Sequence, residues 1–395
     1  MDSKAKNSAF FWLRKNLFSS WLNTLLTIGV VWCVAAVALK AIFPMFSMDW
    51  SVIGDNLKLI MTGSYPADQL WRVWLCISYI SLFGGSSFGY GYRKLPIVFI
   101  SILIFQFLLL FLPFSLLSKA FLCINIALAL LGFYLIRLFP KSTQTGIIIG
   151  AWLLLLPFTF LVIYGFTDPS GFMPKITTNY WGGLLLSMII SLTSILFSFP
   201  IGLLLAIGRR SNLKLIKLIC TAFIELVRGV PLITILFIGY LIIPLALPSS
   251  LNPSVFIRAM IGIIAFHSAY MAENFRGGFQ GIPRTQYEAA MSLNLSKPKT
   301  MILIILPQVL KRMIPVLVSS FTGTLKDTSL ISIIGLLDLI GISSAIASNP
   351  KYMTSNSQVL LFMALIYFIL CYSISGASNK IEKALGITTK QAGKS

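Results

Sequence analysis

The sequence Tyr287-Glu288-Ala289-Ala290-Met291-Ser292-Leu293-Asn294, with Ile304-Ile305-Leu306-Pro307 shortly after it, decides how this chain is interpreted. The first stretch lies in a polar island, residues 276–302, and the second belongs to the apolar run that follows. Because polar groups are costly to bury in hydrocarbon, the island is expected to face water or another protein. The positions of the other segments of the chain are therefore inferred relative to this polar island.

The composition is that of a polytopic membrane protein. Of the 395 residues, 57% are hydrophobic and 11% are charged, with a mean hydropathy of +0.89, whereas about a quarter of the residues in a soluble domain are charged. The formal net charge is +20. Nucleic-acid binders gather such charge on one polar domain, but here the basic residues stand in short loops between apolar runs, so no nucleic-acid partner is predicted.

Cysteine and histidine usage argues against a metal or redox site. All five cysteines fall inside apolar segments, and no Cys-x-x-Cys spacing occurs, so they are expected only to pack. His267 is the single histidine and has no acidic neighbour in the sequence. We predict a packed, hydrogen-bonded histidine rather than a proton relay, with no metal and no cofactor.

Apolar runs of about 20 residues are long enough to cross a bilayer. They predict an all-α, polytopic transmembrane helix bundle of about ten spans. Most lysines and arginines fall in segments on the same side as the N-terminus, which places both termini in the cytoplasm. The predicted spans lie near residues 21–43, 72–91, 96–117, 120–137, 147–166, 180–207, 218–246, 254–275, 303–325 and 356–376.

The predicted spans form two unequal groups. Residues 1–166 contain five plain helices with no polar motif, and residues 167–179 form an outer, periplasmic linker containing Gly, Pro and Asp. Residues 180–385 hold the second group of spans and the polar island, and residues 386–395 form a tail. Because membrane-embedded acids mark functional sites, the acids between positions 225 and 338 place the function in the second group.

Local rules predict a short helix followed by a tight turn within the island. Pro283 suits a first helical turn, and Tyr287, Ala290 and Met291 share one face while Glu288 points elsewhere. The small Ala289 and Ala290 would let another protein come close. Asn294 is predicted to end the helix in the left-handed conformation, and Ser296 to cap the next helix. The residues alone fit both a docking helix and an ordinary cytoplasmic loop.

The motif Glu288-Ala289-Ala290, with position 294 and Ile304-x-Leu306-Pro307 at fixed distances, resembles the EAA loop of the membrane subunits of bacterial ABC importers. That family has Gly where this chain has Asn294. Further stretches resemble the signatures of polar amino-acid importer permeases: Glu225-Leu-Val-Arg228-Gly229-Val-Pro231-Leu232, Ala272-Glu273-Asn-Phe-Arg276-Gly277-Gly278 and Lys326-Asp327-Thr328-Ser329-Leu330. The N-terminal helices resemble those of the longer permeases of general L-amino-acid systems.

This resemblance implies a permease of the bacterial inner membrane that lacks its own ATPase site and binds no cofactor. ATP-binding subunits would grip the helix around Glu288, a periplasmic binding protein would deliver the amino acid, and a second permease, identical or paralogous, would complete the pore. The sequence contains no GxxxxGK[ST] phosphate loop, consistent with ATP hydrolysis in a partner subunit.

A zwitterionic amino acid needs an acceptor for its ammonium and a donor for its carboxylate. Asp327, followed by Thr328, is the first candidate acceptor, although Asp-Thr-Ser is also a helix-capping sequence. Glu225 and Arg228 are spaced to pair on one helix face before Pro231, either lining a cavity or only orienting the helix. A further pair with the same spacing is expected to anchor the docking loop: Glu273 and Arg276.

Two other functional classes predict different sequences. An ion-coupled secondary transporter would explain buried acids, but it predicts related repeats and gives no reason for a docking loop. An intramembrane enzyme needs a converging nucleophile, base or metal set, which one histidine and scattered acids do not offer. Of the three hypotheses, the ATP-driven importer permease accounts for the most observations.

Overall fold

A computed structural model describes residues 16–111, 115–168 and 171–384. These residues form helices and connecting turns with two isolated backbone bridges and no strand, which confirms the all-α prediction. The first group comprises α1 (Trp21–Ser47), α2 (Ser51–Thr62), α3 (Leu70–Gly91), α4 (Ile97–Leu109), α5 (Leu116–Leu135) and α6 (Lys141–Tyr164). The second comprises α7 (Gly183–Arg209), α8 (Lys214–Arg228), α9 (Leu232–Phe237), α10 (Ile243–Ala246), α11 (Val255–Gln280), α12 (Arg284–Ser292), α13 (Lys297–Lys299), α14 (Leu306–Asp327), α15 (Leu339–Ala347) and α16 (Asn356–Ala384).

The described residues do not reach the predicted ten spans. Six helices are long and apolar enough to cross a membrane, or seven if the bent pair Lys214–Arg228 and Leu232–Ala246 counts as one. The shortfall lies in the N-terminal group. The C-terminal half of α3 is rich in Gly and Ser, α4 is only 13 residues long, and residues 112–114 at the end of the third predicted span lie outside the described residues.

The seventh predicted span is broken where its sequence predicts a break. Helix α8 ends at Arg228, Pro231 lies outside both helices, and the direction changes by 104° before α9 and α10. Proline has no N–H to continue the helical ladder, so the break falls at that residue. A π-helical turn, Ile238–Ile242, then joins α9 to α10.

Helix α2 is an element that the sequence analysis missed, and it packs against the second group rather than the first. Its buried Ile60 shares a core with Leu339 and Ile342 of α15 and Val359 of α16. The N-terminal region is therefore not a plain row of helices beside a separate core. With 12 residues, α2 is too short to register as a span.

A polar contact joins α2 to the 3-10 turn Pro350–Ser355, which precedes α16. The carboxylate of Asp55 accepts hydrogen bonds from the Tyr352 hydroxyl at 2.7 Å and from Lys351 Nζ at 2.9 Å. The Tyr352 hydroxyl and then the Lys351 ammonium hold the pKa of Asp55 below its usual range. The two groups of helices are thus connected by both apolar packing and an ion pair.

Helices α3 and α5 cross closely because glycines line the contact. A Cβ atom at Gly85 would overlap the carbonyl oxygen of Ala129, and one at Gly89 would overlap that of Phe133. Gly85 and Gly89 are four residues apart and so lie on one helix face, an arrangement that lets backbones approach in membrane helices. The neighbouring Gly84 has no atom within 4 Å of its Cβ position.

We expect Gly85→Ala to destabilise this crossing by about 2 kcal/mol, because the added methyl group meets backbone that cannot yield. The matched variant Gly84→Ala adds the same methyl group in open space and should be neutral. Thermal unfolding of both purified variants in detergent measures the difference. Equal stability of the two variants would contradict the close crossing.

Candidate functional site

The polar island folds as predicted into a short helix, α12, which begins after Pro283. The residues that α12 exposes differ in part from those that the sequence predicted. Glu288 and Ala289 are exposed, and Met291 is 60% exposed. Ala290 is 1% exposed. The prediction that Ala290 faces a partner is therefore wrong, because it packs toward the helix bundle, and Met291 joins the exposed surface instead.

Asn294 ends α12 in the left-handed conformation, with φ of 55°. The amide of Asn294 donates to the carbonyl of Met291 at 2.9 Å, and the amide of Leu295 donates to that of Ala290 at 3.2 Å. These two bonds form a Schellman motif, which satisfies carbonyls that the end of a helix leaves free. Asn adopts positive φ more readily than other non-glycine residues, so this left-handed turn forms here without glycine.

A variant pair tests the left-handed turn. Asn294→Gly should preserve α12, whereas Asn294→Val should destabilise its C-terminal turn by about 1–2 kcal/mol, the cost of a left-handed conformation for a residue with a Cβ atom. Amide hydrogen exchange across residues 284–292 should be faster by about tenfold in the valine variant. Similar exchange in both variants would show that the turn does not depend on this conformation.

The segment after the turn leads into α14 through a widened helix. Ser296 stands at the N-cap of α13 as predicted, but its side chain makes no capping bond. Residues Thr300–Ile305 form a π-helical turn that ends where α14 begins, and Pro307 in the first turn of α14 has no N–H to offer the carbonyl of Leu303. The motif residues Ile304 and Leu306 pack against the core beneath the loop.

Three side chains tie α12 and its flanks to the bundle. The Nε2 atom of Gln308 donates to Oε1 of Gln286 at 3.1 Å and to the carbonyl of Ile304 at 2.9 Å. Arg312 donates to the carbonyl of Gly281. The Nη2 atom of Arg210 donates to the Tyr287 hydroxyl at 3.3 Å. Helix α12 is therefore held by α14 and by Arg210, the residue that follows α7. A displacement of α12 would also displace α14 and the end of α7.

An ion network lies at the same end of the bundle and differs from the predicted pairing. Glu273 binds Arg276 as predicted, and its Oε2 atom also lies 3.5 Å from both Arg209 and Arg228. Glu225 contacts Arg209 at 2.8 Å. The predicted Glu225–Arg228 pair is thus wrong: within the described residues, each of the two groups pairs with another helix.

Arg209 is the member of this network that sequence reasoning did not identify. It is the last residue of α7, and it connects α7 to Glu225 on α8 and Glu273 on α11. The only sequence signal was a basic residue in an inward loop, which positive-inside counting already explained. The network ties together three helices, α7, α8 and α11.

A second polar cluster lies between α11 and α14. The Nε2 atom of His267 is 3.4 Å from Oδ2 of Asp327, and its Nδ1 atom is 3.3 Å from the Thr324 hydroxyl. His267 is buried as predicted, but it has an acidic neighbour that the sequence did not reveal. Asp327 makes no capping bond, and its side chain is 37% exposed.

Two other polar residues of the second group of helices form hydrogen bonds with the protein backbone. Thr328 is fully buried, and its hydroxyl donates to the carbonyl of Leu325 at 2.8 Å. The buried Asp338 caps α15 by accepting from the amides of Gly341 at 2.8 Å and Ile340 at 3.2 Å. Among the residues that the structure describes, no group of three or more His, Cys, Asp and Glu side chains could hold a metal ion.

Comparison with known proteins places the chain among transport proteins. Residues 198–386 match the family model described as the binding-protein-dependent transport system inner membrane component. The chain is 36% identical to the inner membrane amino-acid ABC transporter permease YhdY of Escherichia coli K12, over 96% of this chain and 94% of that protein.

Two further relatives differ in length. The glutamate/glutamine/aspartate/asparagine transport system permease BztC of Rhodobacter capsulatus is 34% identical over 95% of this chain and 94% of its own. The probable glutamine ABC transporter permease GlnP of Bacillus subtilis is 32% identical over 51% of this chain and 91% of its own. The first two relatives thus match the N-terminal helices as well as the second group.

Proposed function

The chain belongs to the family of ABC-transporter permeases, the inner membrane components of binding-protein-dependent transport systems, and from this premise we propose that it is the permease subunit of an ATP-driven amino-acid importer. The observation that carries the proposal is α12, a short helix in the connection between α11 and α14 that presents the exposed Glu288 and Ala289. Such a helix gives a separate ATP-binding subunit a surface to hold.

The bonds around α12 support a coupling role. When the ATP-binding subunits close, α12 moves with them, and the contacts through Gln308, Arg312 and Arg210 pass that displacement to α14 and α7. The network around Glu273 keeps the C-terminal ends of α7, α8 and α11 together during this movement. Helix α12 and the three helix ends then move as one body. As a result, the translocation pathway between the helices closes on one side of the membrane and opens on the other.

Asp327 is the proposed acceptor for the substrate ammonium. Its carboxylate is partly exposed and lies between two spanning helices, next to the His267 ring, which in turn contacts the Thr324 hydroxyl. Thr328 is less suited to contact substrate because it is fully buried. Glu225, Arg228, Glu273 and Arg276 have partners in the ion network, so they are proposed to hold helices rather than bind amino acid.

The proposed assembly has several subunits in a bacterial inner membrane. Residues 180–385 form the permease core and pair with a second permease, identical or paralogous, while ATP binds in partner subunits and a periplasmic binding protein delivers the amino acid. Residues 1–166 add helices around this core. The names of the full-length relatives support an amino-acid substrate.

The proposal is tested by purifying the detergent-solubilised chain from its native membrane and identifying the co-purifying proteins by mass spectrometry. We expect an ATP-binding protein and a second permease. A binding protein encoded with them can then be titrated with individual amino acids to identify the substrate. Recovery of the chain without any ATP-binding protein, under conditions that preserve its own fold, would contradict the proposal.

A further inference from the structure

A cavity of about 510 Å³ lies between the inner ends of α7 and α11 and the start of α12. Its wall is strongly basic, since it contains four arginines and no acidic residue. Two aromatic rings also line the cavity. The arginines and aromatic residues of the wall are Arg209, Arg210, Arg276, Arg284, Phe279 and Tyr287.

The four arginines differ in how their charge is balanced. Arg209 binds Glu225 and Glu273, and Arg276 binds Glu273; neither carboxylate belongs to the residues that line the cavity. Within the described part of the chain, Arg210 and Arg284 form no ion pair. Two guanidinium groups therefore face the cavity with charge that no described carboxylate offsets, and an anionic ligand would supply the missing partner.

The geometry of Arg210 favours a phosphate. Its guanidinium lies 4.9 Å from the ring centre of Phe279 and 5.9 Å from that of Tyr287, whose hydroxyl accepts one of its hydrogen bonds. These contacts hold the side chain in place, so less conformational entropy is lost when it binds a ligand. The remaining N–H groups form a planar fork, which matches the paired oxygens of a phosphate.

The position of the cavity indicates where that phosphate comes from. Helices α7 and α11 are both long enough to span the membrane, and the cavity lies at the ends that the distribution of basic residues assigns to the cytoplasm. Basic pockets between spanning helices on this side bind anionic lipid headgroups. We propose that the cavity binds the phosphate of an anionic phospholipid and so holds the start of α12 against the membrane surface.

The test measures lipid binding to the purified full-length chain by native mass spectrometry. The chain in neutral detergent is titrated with phosphatidylglycerol or with phosphatidylcholine of the same acyl chains. We expect tighter binding of phosphatidylglycerol, weakened by about tenfold in Arg210→Gln/Arg284→Gln. The matched variant Lys297→Gln/Lys299→Gln removes two exposed cations from the same loop, outside the cavity, and should change binding by less than about twofold.

Several results would overturn the proposal. Equal binding of the two lipids, or equal loss in both double variants, would show that no specific headgroup site exists. Displacement of the lipid by inorganic phosphate at similar concentration would assign the site to a soluble anion, and displacement by an added ATP-binding subunit would assign it to a protein interface.

Two controls keep the measurement interpretable. Thermal unfolding of each variant shows whether it is folded, and the single variant Arg284→Gln, at an exposed side chain, replaces the double variant if that one is not. We expect the single variant to lose about threefold in phosphatidylglycerol affinity, and unchanged affinity would overturn the proposal. Because the assay requires no transport, its failure would leave the proposed importer function untouched.

Discussion

Glu288→Lys is expected to abolish ATP-driven uptake while leaving the chain folded and inserted in the membrane. Glu288 is exposed on α12 and makes no side-chain ion pair within the described residues, so its replacement breaks no ion pair of the described chain. At a protein interface, placing like charges together costs several kcal/mol. About 3 kcal/mol would weaken contact with the ATP-binding subunit by roughly a hundredfold.

The measurement for Glu288→Lys is uptake of radiolabelled amino acid in cells whose own copy is deleted, with membrane insertion checked by immunoblotting of fractions. Asp168→Lys is the matched control, because it makes the same charge reversal at an exposed residue in the predicted outer linker. We expect normal uptake from the control. Undiminished uptake by Glu288→Lys would remove α12 from the coupling mechanism.

Asp327→Asn is expected to raise the substrate concentration needed for half-maximal uptake by about tenfold or more, because a charge-assisted hydrogen bond to the ammonium is lost. Stimulation of the ATPase by the substrate-loaded binding protein should persist, since Asp327 is remote in sequence from α12 and belongs to a different polar cluster. The two measurements together separate a substrate contact from a coupling role.

The neighbouring Lys326 provides the control for Asp327. Its side chain is exposed, and Lys326→Gln also removes one charge from the same turn of α14. Concentration dependence should be unchanged in this variant. If Asp327→Asn shows the same half-maximal concentration as the unaltered protein, Asp327 does not contact the substrate, and the acceptor must be sought elsewhere on α11 or α14.

Features governed by neighbouring residues in the chain could be predicted from the sequence. The helix before Asn294, the left-handed turn at that residue and the Glu273–Arg276 pair all depend on spacings of a few residues, which the geometry of one helix fixes. The break at Pro231 likewise follows from the chemistry of a single residue. Each of these predictions is confirmed by the structure.

Features that depend on contacts between helices could not be predicted in the same way. The partner of Glu225 is Arg209 on another helix, and the proximity of His267 to Asp327 joins positions far apart in the sequence. The burial of Ala290 depends on how α12 is rotated against the bundle, and small residues suit both a packed and an exposed face. These outcomes follow from tertiary packing, which periodicity alone does not specify.

The measurement that tests the account most directly is transport by the purified complex in liposomes. Vesicles containing the chain, its co-purifying subunits and internal ATP are given the binding protein with labelled amino acid, with or without an ion gradient. We predict accumulation that requires both ATP and the binding protein and is independent of the gradient. Accumulation driven by an ion gradient alone, with ATP absent, would contradict the importer mechanism.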